Sequence, residues 1–99
     1  MEYPNVSFVK FPVLDEVDEG HIAKALEHFF RKVGGDAKLQ LSIKEYKKGG
    51  LRAQHEIKAK VSVLGKSFFA DHTDWQLLET IQHTLKKLEK EVLKETGKK

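Results

Sequence analysis

The sequence predicts an α+β domain, a two-layer sandwich in which two helices cover one face of a four-stranded mixed sheet. Three observations lead to this prediction. The chain has 99 residues, enough for one hydrophobic core. Two segments alternate apolar and polar residues, as strands do, and two others repeat apolar residues at helical spacing. We therefore expect a single domain over residues 1–99, with 94–99 as a frayed basic tail.

The first two elements are a short strand and an amphipathic helix. Residues 6–11 are rich in Val and Phe and precede Pro12, which indicates a short strand. The acidic segment 14–20 is interpreted as a loop that leads into a helix from His21. The apolar stripe of this helix comprises Ile22, Leu26, Phe29 and Val33. Gly34-Gly35 ends the helix, because glycine readily adopts a positive φ.

Strict alternation marks the second and third strands, in residues 37–48 and 52–64. A two-residue turn at Gly49-Gly50 would pair Ile43 with Glu56 and mix apolar with polar residues on one face. A loop of three or five residues, or a bulge, brings Ile43 to the side of Ile57 instead. We expect this odd-length connection.

The last strand, residues 67–72, follows a tight turn. A two-residue type II′ turn at Gly65-Lys66 keeps the apolar residues of both strands on the same face. The same register places Lys60 opposite Asp71 on the outer face.

A long helix closes the chain. Thr73 or Asp74 is expected to cap it. Its apolar stripe comprises Leu78, Ile81, Leu85, Leu88 and Val92. The order is thus β-α-β-β-β-α, in which the first two strands are parallel and the last three form an antiparallel meander.

Composition narrows the class of protein. The sequence has no cysteine, which excludes disulfides and thiolate metal sites and fits a reducing compartment. It has neither an apolar run that could span a bilayer nor a signal-peptide pattern at its start. A soluble cytoplasmic protein without a membrane partner is expected.

Positive charge is unevenly distributed. The net charge is +3, but residues 37–73 alone hold eight Lys or Arg and three Asp or Glu, a net charge of +5. Such asymmetry favours an anionic partner.

Both predicted helices carry basic residues away from their apolar stripes. On the last helix these are Lys86, Lys87, Lys90 and Lys94, and on the first they are Lys24, Arg31 and Lys32. If the helices pack side by side, these residues form one surface for RNA phosphates, with an affinity that falls as salt rises. The competing interpretation is that the lysines only keep the helices solvated.

The outer face of the sheet is a second candidate for RNA binding, because basic and aromatic residues together can stack bases. Its residues are Lys38, Lys44, Tyr46, Arg52, Lys58, Lys60 and Phe69. Glu56 and Asp71 interrupt this face, and lysines on strand edges often serve only to block aggregation. It therefore ranks below the helices.

Two helical motifs resemble those of the ribosome hibernation-promoting factor family, which includes the ribosome-associated translation inhibitors. The closing helix of that family carries the pattern K-L-E-R-Q-L-x-K. Here the places of that pattern are filled by Lys87, Leu88, Glu89, Lys90, Glu91, Val92 and Lys94, with lysine for arginine and glutamate for glutamine. In the first helix, the stretch ALEHFFRKV is similar to the family's A-L-x-x-Y/F-x-x-K, and the matching residues are Ala25, Leu26, Phe29 and Lys32.

The resemblance implies a divergent short form, without a second, dimerising domain, and a fold like that of double-stranded-RNA-binding domains. It also implies a partner, the ribosomal RNA of the small subunit, and inhibition of translation by occupancy of the channel for messenger and transfer RNA. The strongest expectation of contact falls on Lys32, Lys87, Lys90 and Lys94. A monomer is favoured.

No pattern indicates an enzyme. The sequence lacks a nucleophile elbow, a glycine-rich phosphate loop and an acid–base constellation, so neither a cofactor nor a small-molecule substrate is expected. No metal site is expected either: His21 and His28 share a helix face without a third ligand, and His72 and Asp74 flank a turn, where capping is the favoured role. The alternative function is a protein-interaction module that recruits a partner through a sheet edge or the Trp75 region.

Overall fold

A four-stranded sheet in the strand order β1-β2-β3-β4 forms one layer of the protein. The computed structural model describes residues 3–47 and 53–96. Its elements are β1 (Val6–Val9), α1 (Glu16–Val33), β2 (Lys38–Lys47), β3 (Ala53–Val63), β4 (Lys66–Asp74) and α2 (Leu77–Thr96). β1 is parallel to β2, and the other neighbouring strands are antiparallel. The predicted α+β order and mixed sheet are confirmed.

The two helices form the second layer, and their apolar stripes supply half of the core. The predicted stripe residues of α1 are all buried, as are those of α2 from Ile81 onward, whereas Leu78 is only partly buried. The sheet contributes the inward residues of β2 and β3, namely Leu39, Leu41, Ile43, Ile57, Ala59, Val61 and Val63. Within the described ranges, neither helix combines the length and apolar character that a membrane crossing requires.

Helix α1 begins five residues earlier than predicted. Asp15 is its N-cap, and the Asp18 backbone N–H donates to Oδ1 of Asp15 at 2.8 Å. The interpretation of residues 14–20 as a loop is therefore wrong from Glu16 onward: the acidic side chains occupy the first turn, where the helix dipole stabilises them. The predicted end is confirmed, since Gly34 has a φ of 116° and caps the helix.

The β2–β3 register agrees with the prediction of an odd-length connection between these strands. Ile43 lies opposite Ile57, and the outermost described pair is Lys47 with Ala53. An odd number of residues must therefore connect the strands, as predicted; residues 48–52 themselves lie outside the described part of the chain.

The turn between β3 and β4 differs from the prediction. Val63 pairs with Lys66, so the two turn residues are Leu64 and Gly65. Their φ angles are 54° and 75°, and a turn with both central residues at positive φ is of type I′ rather than type II′. Such a turn matches the right-handed twist of the flanking strands, which accounts for its formation despite the cost of holding a leucine in the left-handed region.

The shifted turn also changes the cross-strand pairs. Lys60 lies opposite Phe69, and Asp71 lies opposite Lys58, so the predicted Lys60–Asp71 pair is wrong. The shift is by two residues, which keeps every side chain on its predicted face.

Helix α2, in contrast to α1, begins later than predicted. β4 continues through Asp74, and the helix begins at Leu77. The Trp75 backbone N–H donates to Oδ1 of Asp74 at 2.7 Å, and the Thr80 backbone N–H donates to the carbonyl of Gln76. Neither Thr73 nor Asp74 is therefore the N-cap.

We expect Leu64→Asn to raise the free energy of unfolding by about 1 kcal/mol, because asparagine tolerates the left-handed conformation that costs leucine about 1–2 kcal/mol. Leu64 is 70% exposed, so replacing its side chain removes few packing contacts. Urea denaturation measures the change. Leu64→Ala is the control, since it removes the same side chain without relieving the backbone. Equal stability of the two variants would contradict the assigned turn.

Candidate nucleic-acid interface

A groove runs between the outward faces of α1 and α2. Its floor includes Phe29 and Leu85, members of the core. The basic side chains along its sides come from both helices and are His21, Lys24 and His28 of α1 with His83 and Lys86 of α2. Glu89 is the acidic residue among those that line the groove. The packing of the two helices therefore brings Lys24 and Lys86, both predicted RNA-binding residues, to one surface.

The remaining predicted residues of α1 lie beside this groove. Arg31 and Lys32 are exposed and do not line it. Nη2 of Arg31 lies 2.6 Å from Oε1 of Glu27, with 73% and 59% of the two side chains exposed. An exposed pair of this kind contributes at most about 1 kcal/mol, but it offsets the positive charge that Arg31 would present to a phosphate.

Lys87 lies on the opposite flank of α2 from Lys86. Its Nζ donates to the backbone carbonyl of Asp71 at 2.9 Å, which ties the helix to the edge strand β4. With Lys58 and Phe69 it lines a shallow depression at that edge. Consecutive helical residues differ in direction by about 100°, so Lys86 and Lys87 serve different surfaces. Lys90 and Lys94 are exposed and line neither depression.

The outer face of the sheet brings cations and aromatic rings together. Nζ of Lys44 lies 5.1 Å from the centre of the Tyr46 ring, and Nζ of Lys60 lies 5.8 Å from that of Phe69. Phe69 is 67% exposed. Because lysines of the same face already contact these rings, a stacking base would have to displace them.

The other predicted residues of the sheet face fall into two groups. Lys38 and Lys58 are exposed, on β2 and β3. Arg52 lies outside the described residues. On the same face, the hydroxyl of Tyr46 donates to Oε1 of Glu56 at 3.1 Å, so a carboxylate lies among the basic residues. Both surfaces therefore combine lysines with carboxylates, Glu89 in the groove and Glu56 on the sheet face.

Three side chains that the sequence analysis did not combine meet where β4 leads into α2. His72 and Asp74 are two residues apart on β4 and therefore face the same way, toward the helices. His83 of α2 lies against His72, with ring centroids 4.8 Å apart, and potential ligand atoms of the three residues all lie within 4.8 Å of one another. The only local signal was the His-x-Asp spacing, and the capping role predicted for Asp74 obscured it.

Asp74 is the anionic member of this cluster. The hydrogen bond from the Trp75 backbone N–H, and then the nearby His72 and His83 side chains, lower the pKa of Asp74 below its ordinary value. Its Oδ2 lies 3.6 Å from Nε2 of His72. Asp74 is therefore a carboxylate at neutral pH, with one oxygen held by the backbone and the other turned toward imidazole.

Comparison with known proteins gives a structural likeness without a sequence match. No family model matches the sequence, and no curated protein matches it. Among solved structures, the N-terminal domain of Thermus thermophilus Protein Y aligns with a TM-score of 0.62 and 17% identity over 95% of this chain and 98% of that one. A ribosomal subunit interface protein from Coxiella burnetii aligns with a TM-score of 0.69 and 12% identity over 94% and 98%. At these identities, the likeness shows a shared fold.

Lys87→Ala is expected to lower the free energy of unfolding by about 0.5–1.5 kcal/mol, because it removes the hydrogen bond to Asp71. Lys90→Ala is the matched control: it makes the same change on the same helix, at an exposed residue that lines neither depression. We expect it to change stability by less than about 0.5 kcal/mol. Urea denaturation measures both, and indistinguishable midpoints would show that the Lys87 hydrogen bond contributes nothing.

Proposed function

We propose that this protein is a non-enzymatic ribosome-associated factor that binds ribosomal RNA through the groove between α1 and α2. The observation that carries the proposal is the convergence of Lys24 and Lys86, with three histidines, on one groove formed by both helices. The fold adds support, because one protein of similar structure is a ribosomal subunit interface protein.

The chemistry of the groove suits structured RNA. Lysine is a long, flexible point charge that binds phosphate without reading base sequence. Double-stranded RNA is recognised mostly through its shape and its backbone, since side chains cannot enter its narrow major groove. One lysine from each helix could contact phosphates on both sides of the groove. The expected affinity is therefore strongly salt-dependent and tolerant of sequence.

Binding of this kind acts by occupancy. We propose that the partner is the small ribosomal subunit, in the channel where messenger and transfer RNA lie, and that translation is inhibited because the channel is filled. This mechanism needs neither a reacting group nor a small-molecule substrate. It acts in the cytoplasm, and the unit that binds is a monomer.

A second function rests on the edge strand β4. This strand is the last in the described sheet, so one of its edges faces away from β3, and Phe69 and Trp75 on or beside it are 67% and 39% exposed. Aromatic residues next to an open edge are typical of surfaces that add a strand or a helix from another protein. Such a module would recruit a protein partner and would leave RNA binding weak.

A filter-binding titration with small-subunit ribosomal RNA over a range of salt concentrations tests the proposal. We expect Lys24→Ala/Lys86→Ala to weaken binding and to flatten the plot of log affinity against log salt by about 1.4–1.8, because each phosphate that the variant no longer neutralises reduces the slope by about 0.7–0.9. Lys38→Ala/Lys44→Ala is the matched control, since it removes two positive charges from the sheet face.

The results of this titration distinguish binding at the groove from binding at the sheet face and from the absence of RNA binding. A larger drop in affinity for the sheet variant would move the interface to the outer sheet face. Equal drops would show that only total charge matters. Negligible binding by the unaltered protein at low salt would contradict RNA binding altogether and favour the β4 edge as a protein-binding surface.

A further inference from the structure

We propose that His72, Asp74 and His83 form a binding site for one divalent transition-metal ion, with Zn²⁺ as the ion that the ligand set fits best. The site joins the end of β4 to the early turns of α2. It shares His83 with the groove described above, but metal binding can be tested without RNA.

The first argument is geometric. Each of the three residues offers one ligand atom, and these atoms all lie within 4.8 Å of one another. A tetrahedral Zn²⁺ with bonds of about 2.0–2.1 Å separates its ligands by roughly 3.3 Å. The side chains must therefore close in by no more than about 1.5 Å. His83 is exposed and can rotate to do so, and the backbone that carries His72 and Asp74 is held in the sheet.

The second argument is the chemistry of the donors. Two imidazoles and a carboxylate are a known three-ligand set for Zn²⁺, which takes water in its fourth position. Ca²⁺ and Mg²⁺ bind mainly through oxygen ligands, and a set dominated by nitrogen disfavours them. Because the same nitrogen donors also suit Cu²⁺ and Ni²⁺, selectivity would follow the metal available to the protein.

The third argument is the support around the carboxylate. Oδ1 of Asp74 accepts the Trp75 backbone N–H at 2.7 Å, which orients Oδ2 toward Nε2 of His72. Outer-shell hydrogen bonds of this kind fix a ligand in place before the metal arrives. A simple His72–Asp74 ion pair accounts for part of the geometry, but not for a second imidazole placed 4.8 Å from the first, centroid to centroid. A divalent cation would use all three side chains as ligands.

Access to the site is open. The side chains of His72 and Asp74 are 24% and 34% exposed, and His83 is on the surface. An ion can therefore enter without unfolding the protein, and chelators can remove it.

Isothermal titration of the full chain, without a histidine tag, with ZnCl₂ tests the proposal. We expect one Zn²⁺ per chain and a rise in the thermal unfolding temperature when the ion is present, since Zn²⁺ binds only the folded arrangement. His83→Gln and Asp74→Asn should each weaken binding by more than the roughly 10- to 100-fold that removal of an outer-shell partner costs. Neither variant should show the thermal shift.

His28→Gln is the matched control, because His28 is an exposed helical histidine outside the cluster. It should bind Zn²⁺ as the unaltered protein does. His83 is exposed, so His83→Gln should fold normally, and its circular dichroism spectrum checks this. Absence of saturable binding up to about 1 mM Zn²⁺ would overturn the proposal. So would binding that survives in His83→Gln or disappears in His28→Gln.

As a second readout, Co²⁺ should give the intense visible absorption of a tetrahedral site in the unaltered protein and in His28→Gln. The same spectrum in Asp74→Asn would exclude the carboxylate as a ligand, and with it the proposed site.

Discussion

Burial of one face of the sheet under two apolar helical stripes is the constraint on which the rest of the structure depends. Leu41 of β2 and Ile57 of β3 are fully buried, as are Leu26 of α1 and Leu88 of α2. A four-stranded sheet is wide enough for two helices, and both must lie on it to remove this apolar surface from water. The helices consequently lie side by side, and the groove between their outer faces follows from that packing.

The groove and the outer sheet face differ in the contacts that their charged side chains already make. On the sheet, Lys44 and Lys60 lie against aromatic rings, and Tyr46 holds the carboxylate of Glu56. In the groove, Lys24 and Lys86 extend from separate helices and face a common space. An anion that binds the sheet must therefore displace contacts within the protein, whereas one that enters the groove meets the lysines together with the carboxylate of Glu89.

Much of the fold could be predicted because each element has a clear periodicity. The alternation of apolar residues correctly predicted an odd-length connection between β2 and β3, but it left three residues, five residues or a bulge open. Parity could not settle the β3–β4 turn, since moving it from Gly65-Lys66 to Leu64-Gly65 shifts the pairing by two residues and leaves every face unchanged. Helical spacing brought Lys24 and Lys86 to the outward faces of the helices, but the other five basic residues predicted with them do not line the groove. The cluster at His72 and His83 was not predictable, because it depends on how closely α2 approaches the end of β4.

Helix α2 keeps its buried and exposed residues on separate faces. Leu88 and Val92 are almost fully buried, whereas Lys90 and Lys94 point to solvent. Substitutions at exposed positions usually change stability by less than about 0.5 kcal/mol, so charge on this face can vary without endangering the fold. Over evolutionary time, such a chain can change its affinity for an anionic partner by one surface substitution at a time. Divergence in surface sequence can then proceed far while the architecture is inherited intact.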